Sequence, residues 1–177
     1  PPVTGLPTVG PLAYNVEPGE ARFIAGQKID AKLTLTNVSN TSVTINNYPP
    51  AIKVTPNGDS TRIIVSVAAG IKPRDLRPNE TVSINYSWDQ KDATKSQVVP
   101  GWYEIAFGNI TIPDYTFARN AHVLIQYPQG ALIKYFSPNQ TQTVSGLTVT
   151  LQRIDMNSDY ATFRCVYTPP GYTNSLA

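Results

Sequence analysis

Strict alternation of apolar and polar side chains begins at Ile29 and recurs along most of the chain. Ile29, Ala31, Leu33 and Leu35 fall on one side of an extended segment, and Lys28, Asp30, Lys32, Thr34 and Thr36 on the other. A period of two marks a half-buried strand, because successive side chains on a pleated backbone point to opposite faces. Asn37-Val38-Ser39-Asn40 has turn chemistry. Val43 and Ile45 open a short return strand that Tyr48-Pro49-Pro50 closes, since proline lacks the N–H that a central ladder needs. Ile52 and Val54 make another short run before the turn Pro56-Asn57-Gly58-Asp59. The next predicted strand spans 62–68, with Ile63, Val65 and Val67 on one face. After the turn at Leu76-Arg77-Pro78-Asn79-Glu80, Val82, Ile84, Tyr86 and Trp88 alternate with Ser83, Asn85 and Ser87. The longest strand is predicted over 102–112, with Tyr103, Ile105 and Phe107 together, and a last one over 121–127 carries Val123, Ile125 and Tyr127. Seven or eight strands joined by turns, with no helical period, predict an all-β fold: an antiparallel Greek-key sandwich over residues 21–127. Its expected core includes Leu33, Leu35, Ile84, Tyr86, Trp88, Tyr103, Ile105, Val123 and Ile125.

The two ends follow different rules. Residues 1–20 are rich in proline and glycine, which reads as a linker or an irregular lead-in strand. Pro128-Gln129-Gly130 reads as a hinge-like boundary. Beyond it, residues 131–177 restart the alternation as a partial or docked second β unit. Leu147, Val149 and Leu151 alternate, Asn157-Ser158-Asp159 turns, and Ala161, Phe163, Cys165 and Tyr167 alternate again, with a third strand near 132–136. An isolated hairpin is marginal in water because nothing covers its apolar face. That face must be buried against the rest of the chain, against a second copy, or inside a domain of which this is half; pairing with a second copy is the favoured arrangement.

Composition narrows the function classes. Charged residues are 15 % of the chain, below the roughly 25 % usual for soluble domains, so the polar surface is mostly Thr, Ser, Asn and Gln. Uncharged polar surfaces of this kind are common in extracellular modules. Net charge is +2, and the scattered Lys and Arg form no electrostatic footprint for nucleic acid. No stretch approaches the ~20 apolar residues of a membrane helix. Opening on Pro1-Pro2, the chain reads as mature or excised, any targeting or anchoring segment lying outside it. One cysteine allows no internal disulfide.

Candidate chemistry is sparse. Six Asn-x-Ser/Thr sequons, at Asn37, Asn40, Asn79, Asn85, Asn109 and Asn139, are candidate N-glycosylation sites. Tyr14, Tyr48 and Tyr115 sit beside prolines in expected loops, and Trp102 has the opposite strand parity to Tyr103; these four are the candidate binding aromatics. By parity Trp88 and Tyr103 are core. His122 is the only histidine; it is too few for a zinc site built on imidazoles, and no nucleophile–base pair can be selected around it, so it reads as a surface or packing residue. Cys165 alternates with Phe163 and Tyr167 and reads as a buried small hydrophobe. No enzyme activity, metal or cofactor is expected.

Several short motifs point to one family. Gly26-Gln27, Pro78-Asn79-Glu80, Trp88-Asp89 and Val99-Pro100-Gly101-Trp102-Tyr103-Glu104 occur in the order and spacing of the BsuPI-like family, named for an intracellular proteinase inhibitor. Residues 23–112 resemble that family. The resemblance implies an immunoglobulin-like sandwich, often a module in exported proteins. No reactive-site residue can be matched, and the best candidate for an inhibitory loop is the polar segment 89–98. The C-terminal run Tyr167-Thr168-Pro169-Pro170-Gly171-Tyr172 resembles the opening of an immunoglobulin-like repeat of bacterial surface proteins. The expected function is therefore a non-catalytic extracellular or cell-surface module with a spacer, adhesion or envelope-assembly role. It would meet a protein or envelope component, or itself through the C-terminal hairpin. The alternatives are a proteinase inhibitor domain and a carbohydrate-binding module, which would need coplanar exposed aromatics.

Overall fold

The computed structural model describes residues 5–170, so Pro1–Thr4 and the Gly171-Tyr172 part of the C-terminal motif lie outside the described residues. Regular structure among the described residues is entirely β. The chain divides into two compact units, Pro1–Gln126 and Tyr127–Ala177.

In the first unit one sheet runs β1 (Thr8–Val9), β2 (Leu12–Glu17), β4 (Ile29–Asn37), β9 (Thr81–Trp88). A second runs β3 (Glu20–Ile24), β11 (Tyr115–Gln126), β10 (Gly101–Ile112), β6 (Ala51–Pro56), β7 (Val65–Val67). A two-stranded ribbon pairs β5 (Val43–Tyr48) with β8 (Lys72–Leu76). All pairings are antiparallel except that of β3 with β11. The inward faces of the two sheets meet in one core. Ile29, Leu33, Leu35, Ile84 and Trp88 come from the first sheet; Val54, Tyr103, Ile105, Phe107, Val123 and Ile125 come from the second. Alternation therefore does what the sequence requires of it, with one register change. Between Phe107 and Ile110 a bulge with Asn109 at φ 55° inserts an extra residue, so Ile110 and Ile112 continue the inward row after Phe107.

Three expectations change here. The strand predicted over 62–68 shrinks to Val65–Val67, and Ile64 is buried while Ile63 is half exposed. The cause is Asp59, whose carboxylate accepts the N–H groups of Thr61 and Arg62 and the Thr61 hydroxyl, curling the chain before it extends. The ladder then resumes when the Ile64 N–H donates to the Val54 carbonyl. Second, of the two readings of residues 1–20 the described part follows the lead-in strand and not the linker: β2 pairs along β4 and buries Leu12 and Ala13. Its prolines flank the strand at Pro11 and Pro18 and leave the ladder intact. Third, Tyr86 is only half buried. One glycine is dictated by close approach: a Cβ on Gly70 would lie 1.9 Å from the Tyr48 carbonyl oxygen.

The described strands of the second unit form a single layer. β14 (Leu147–Asn157) is central, with β15 (Ala161–Thr168) along one edge. β13 (Gln140–Val144) and β12 (Leu132–Phe136) share the other edge end to end. A bulge between Leu151 and Arg153 shifts parity, so Ile154 and Met156 join the face of Leu147, Val149 and Leu151. Register places Phe163, Cys165 and Tyr167 on that same face. The opposite face is mixed, with Leu132, Tyr135 and Val166 among polar side chains. Thr141 and Thr143 share hydrogen bonds with Thr150 and Thr148 at 2.8 and 2.9 Å, and Arg153 pairs with Asp155 while its guanidinium lies 4.6 Å from the Tyr135 ring centroid.

Two more expectations are corrected in this unit. Cys165 is exposed, as are Val149, Phe163 and Tyr167, because no other described strand of this unit lies over the apolar face. Pro128-Gln129-Gly130, expected as a hinge-like boundary, is fastened within the second unit. Gly130 N–H donates to Ser158 Oγ and Asp159 Oδ2, and Ser158 Oγ donates to the Pro128 carbonyl, tying this turn to the β14–β15 turn.

Candidate functional site

The best-organised surface feature of the first unit is the loop after β9. Trp88 ends that strand inside the core, and its Nε1–H donates to the Lys91 carbonyl at 2.9 Å. Gln90 follows in a left-handed conformation, φ 59°, with its side chain fully buried. Its Oε1 accepts the Gly26 N–H at 2.8 Å and the Gln97 Nε2–H at 3.1 Å, and its Nε2–H donates to the Ile24 carbonyl at 3.0 Å. Its backbone carbonyl accepts the Val98 N–H. One side chain thus fastens two connections at the same end of the unit. A buried amide is tolerated because its polar atoms are occupied.

Beyond Gln90 the loop closes on itself. Lys91 and Gln97 form an isolated bridge, and the Asp92 carboxylate accepts the Thr94 N–H, the Thr94 hydroxyl and the Ser96 N–H. The tip, Ala93 to Lys95, is exposed, with Lys95 left-handed at φ 67°. Between this loop, Lys28, Tyr86 and Val65 lies an open groove of about 510 Å³. Burial, and secondarily the Asp89 charge, hold the Tyr86 hydroxyl above its ordinary range, so it remains a hydrogen-bond donor at neutral pH.

The loop carries a pH signature. The Thr94 hydroxyl, then the Ser96 N–H, hold the Asp92 carboxyl below its ordinary value; the Thr61 hydroxyl does the same for Asp59, and the Arg77 N–H, then Arg74, for Glu80. A depressed folded-state pKa contributes stability above the unfolded value that is lost as pH falls through the folded one. The urea midpoint is therefore expected to hold from neutrality down to about pH 4.5 and to fall below it. Asp92→Asn should flatten part of that fall; an unchanged profile would remove Asp92 from the account.

The sequence-derived candidates scatter over the first unit. Tyr14 is half buried in β2, opposite Leu35, with the Arg119 guanidinium 4.0 Å from its ring centroid. Tyr48 ends β5 and packs against the core. Neither is the loop-borne binding aromatic expected, because each flanking proline sits outside the strand and the tyrosine inside it. Trp102 is exposed as parity requires, and so is Tyr115, whose ring fills the space a Cβ on Gly10 would occupy. Trp102 pairs with Leu124 and Tyr115 with Ile112, at opposite ends of the β10–β11 ladder, so they make no common platform. Trp88 and Tyr103 are core partners, edge to face with centroids 5.3 Å apart.

The sequons divide too. Asn40, Asn79, Asn85, Asn109 and Asn139 are exposed. Asn37 is not an accessible acceptor in the folded protein: it is fully buried, and its Nδ2 donates to the Thr41 and Leu76 carbonyls at 2.7 and 2.9 Å. Sequence reasoning took Asn37 for a turn residue and passed over Gln90, which reads as one more polar residue in a polar loop. His122 is half exposed on β11, level with Glu104 and Glu20 on its neighbours. Among the described residues no group of three or more His, Cys, Asp or Glu is placed to hold a metal.

No family model matches the chain, and no curated protein does. Solved structures similar in part include a β-glucosidase from Listeria innocua, with TM-score 0.39 and 13 % identity over 66 % of this chain and 16 % of that one. An alkylpurine DNA glycosylase from Pseudomonas fluorescens bound to abasic-site DNA gives TM-score 0.42 and 13 % identity, covering 66 % of this chain and 30 % of that one. A β-glucosidase from Erythrobacter marinus gives 0.37 and 12 %, covering 64 % and 15 %. The chain thus spans less than a third of each of these proteins.

Proposed function

We propose that the chain is a non-catalytic, immunoglobulin-like module of an exported prokaryotic protein, working by contact as a spacer, adhesion or envelope-assembly element. The topology supports the immunoglobulin-like reading. The order β2-β4-β9 corresponds to strands A-B-E, and β3-β11-β10-β6-β7 to A′-G-F-C-C′. Tyr103, near the start of the strand in the F position, donates its hydroxyl to the Val99 carbonyl four residues upstream at 2.7 Å, as in the tyrosine corner of such domains. The BsuPI-like motifs fall at joints of this frame: Gly26 at the Gln90 knot, Asn79 left-handed at φ 63° in its turn, and Glu80 accepting the Arg77 N–H.

The observation that carries the contact role is the uncovered apolar face of the second unit, where Phe163 and Tyr167 are 61 % and 71 % exposed. Contiguous apolar surface of this kind marks an interaction site. A proteinase inhibitor is the second reading, favoured by the self-braced loop over 89–98. Its tip is curled around Asp92, however, whereas an inhibitor that enters a protease cleft as an added strand presents an extended segment. The test is a titration against broad-specificity serine proteases, together with ester, peptide and glycoside substrates. Neither inhibition nor hydrolysis is expected at micromolar concentration. Stoichiometric inhibition abolished by changes within 89–98 would put the inhibitor reading first.

A further inference from the structure

Of the large hydrophobic side chains exposed among the described residues, twelve lie between Leu132 and Tyr167, and register puts seven of them, Phe163 and Tyr167 included, on one face of the sheet. The apolar face of that sheet is therefore the surface that most needs a cover. We propose that a second copy of this chain supplies it, the two second-unit sheets packing face to face about a two-fold axis. The proposal rests on the contact role argued above and names the partner.

Three features favour a copy of the same chain. The first is area. β14 has 11 residues, so the face is roughly 36 Å long at ~3.3 Å per residue and roughly 14 Å wide for three strands. Two copies would cover roughly 1,000 Å², the size at which specific interfaces begin. The second is charge. Lys134, beside Met156 at the β12 edge, is the one charged side chain that register puts on this face, while Arg153, Asp155 and Arg164 fall on the other. A face without charge at its centre meets its own copy without repulsion, and a two-fold interface requires such self-complementarity. The third is the packing habit of sheets: apolar faces stack at about 10 Å and interdigitate. This one has β-branched and long side chains on β14 beside the aromatics Phe163 and Tyr167 on β15.

Cys165 makes the arrangement measurable. It is the only cysteine, it is exposed in the single chain, and it pairs in register with Leu151 near the middle of the face. The full chain is examined by light scattering at roughly 100 µM, where an interface of ordinary strength is populated. Its alkylation by a maleimide is timed at that concentration and at high dilution. The expected result is a mass of two chains, with alkylation at least tenfold slower in the concentrated sample. Phe163→Lys combined with Tyr167→Lys should give one chain that alkylates fast throughout. Thr162→Lys, on the opposite face of the same strand, should behave as the unaltered protein.

A dimer that survives the double substitution would overturn the proposal, since another surface would then hold it. A chain that stays monomeric when concentrated would also overturn it, and the alkylation rate then separates two cases. Fast alkylation leaves the contact role standing with a different partner. Slow alkylation at every concentration means the face is covered from within its own chain, and the contact role falls with the proposal.

Discussion

Trp88→Ala should lower the unfolding free energy of the first unit by about 3–5 kcal/mol, the range for truncating a buried large aromatic. Trp88 is 2 % exposed and meets the Tyr103 ring edge to face at 5.3 Å. It lies in β9, paired with Ile29, while Tyr103 lies in β10, so this contact joins the two sheets. Truncation leaves a cavity that a two-sheet core cannot close without shifting both layers. It also removes the Nε1–H donated to the Lys91 carbonyl, the first fastening of the following loop. Trp88→Phe keeps most of the volume and should recover more than half of the loss. Urea unfolding followed by far-ultraviolet circular dichroism reads both variants. A near-neutral Trp88→Ala midpoint would mean that this side chain is not the plug between the sheets.

The alternation that predicts β4, β9 and β10 was legible because each presents one face to a core and one to water, which is the condition under which a period of two appears. The same logic placed Trp102 outside and Trp88 and Tyr103 inside. It failed where local side-chain chemistry overrides the period. Asp59 curls residues 59–62 and moves the inward position from Ile63 to Ile64. Asn37 looked like the first residue of a turn, yet its amide closes a buried joint between β4, Thr41 and Leu76. Proline suggested that Tyr14 lies in a loop, whereas Pro11 and Pro18 only bracket the strand that contains it. In the second unit the apolar row of β15 is correct as a pattern, but pattern alone cannot tell whether a second layer exists to bury it.

Gln90 shows why the loop knot was hidden from sequence, and it carries the second large effect. A glutamine among Asp89, Lys91 and Asp92 gives no sign of burial, because the partners that draw it inward are backbone groups of a distant segment. Its side chain receives the Gly26 N–H, sixty-four positions away in sequence, and donates to the Ile24 carbonyl. Gln90→Ala strips both groups of their partner at a part-buried joint. Each lost hydrogen bond costs about 0.5–1.5 kcal/mol net, so a loss of roughly 1–3 kcal/mol in unfolding free energy, read by urea unfolding, is expected. The effect should also be local. With the knot gone, the hairpin that holds Lys91 and Lys95 loses its anchor, and cleavage after these lysines by a trypsin-like protease should accelerate well before global unfolding. Gln90→Glu separates the two halves of the knot: its carboxylate still accepts the Gly26 N–H but has no hydrogen for the Ile24 carbonyl at neutral pH. Its loss should be smaller than that of alanine at low pH, where the protonated acid can donate, and should grow as the pH rises. Equal proteolysis of all three proteins, with unfolding free energies within about 0.5 kcal/mol, would show that water replaces the amide and that the loop is braced by Asp92 alone.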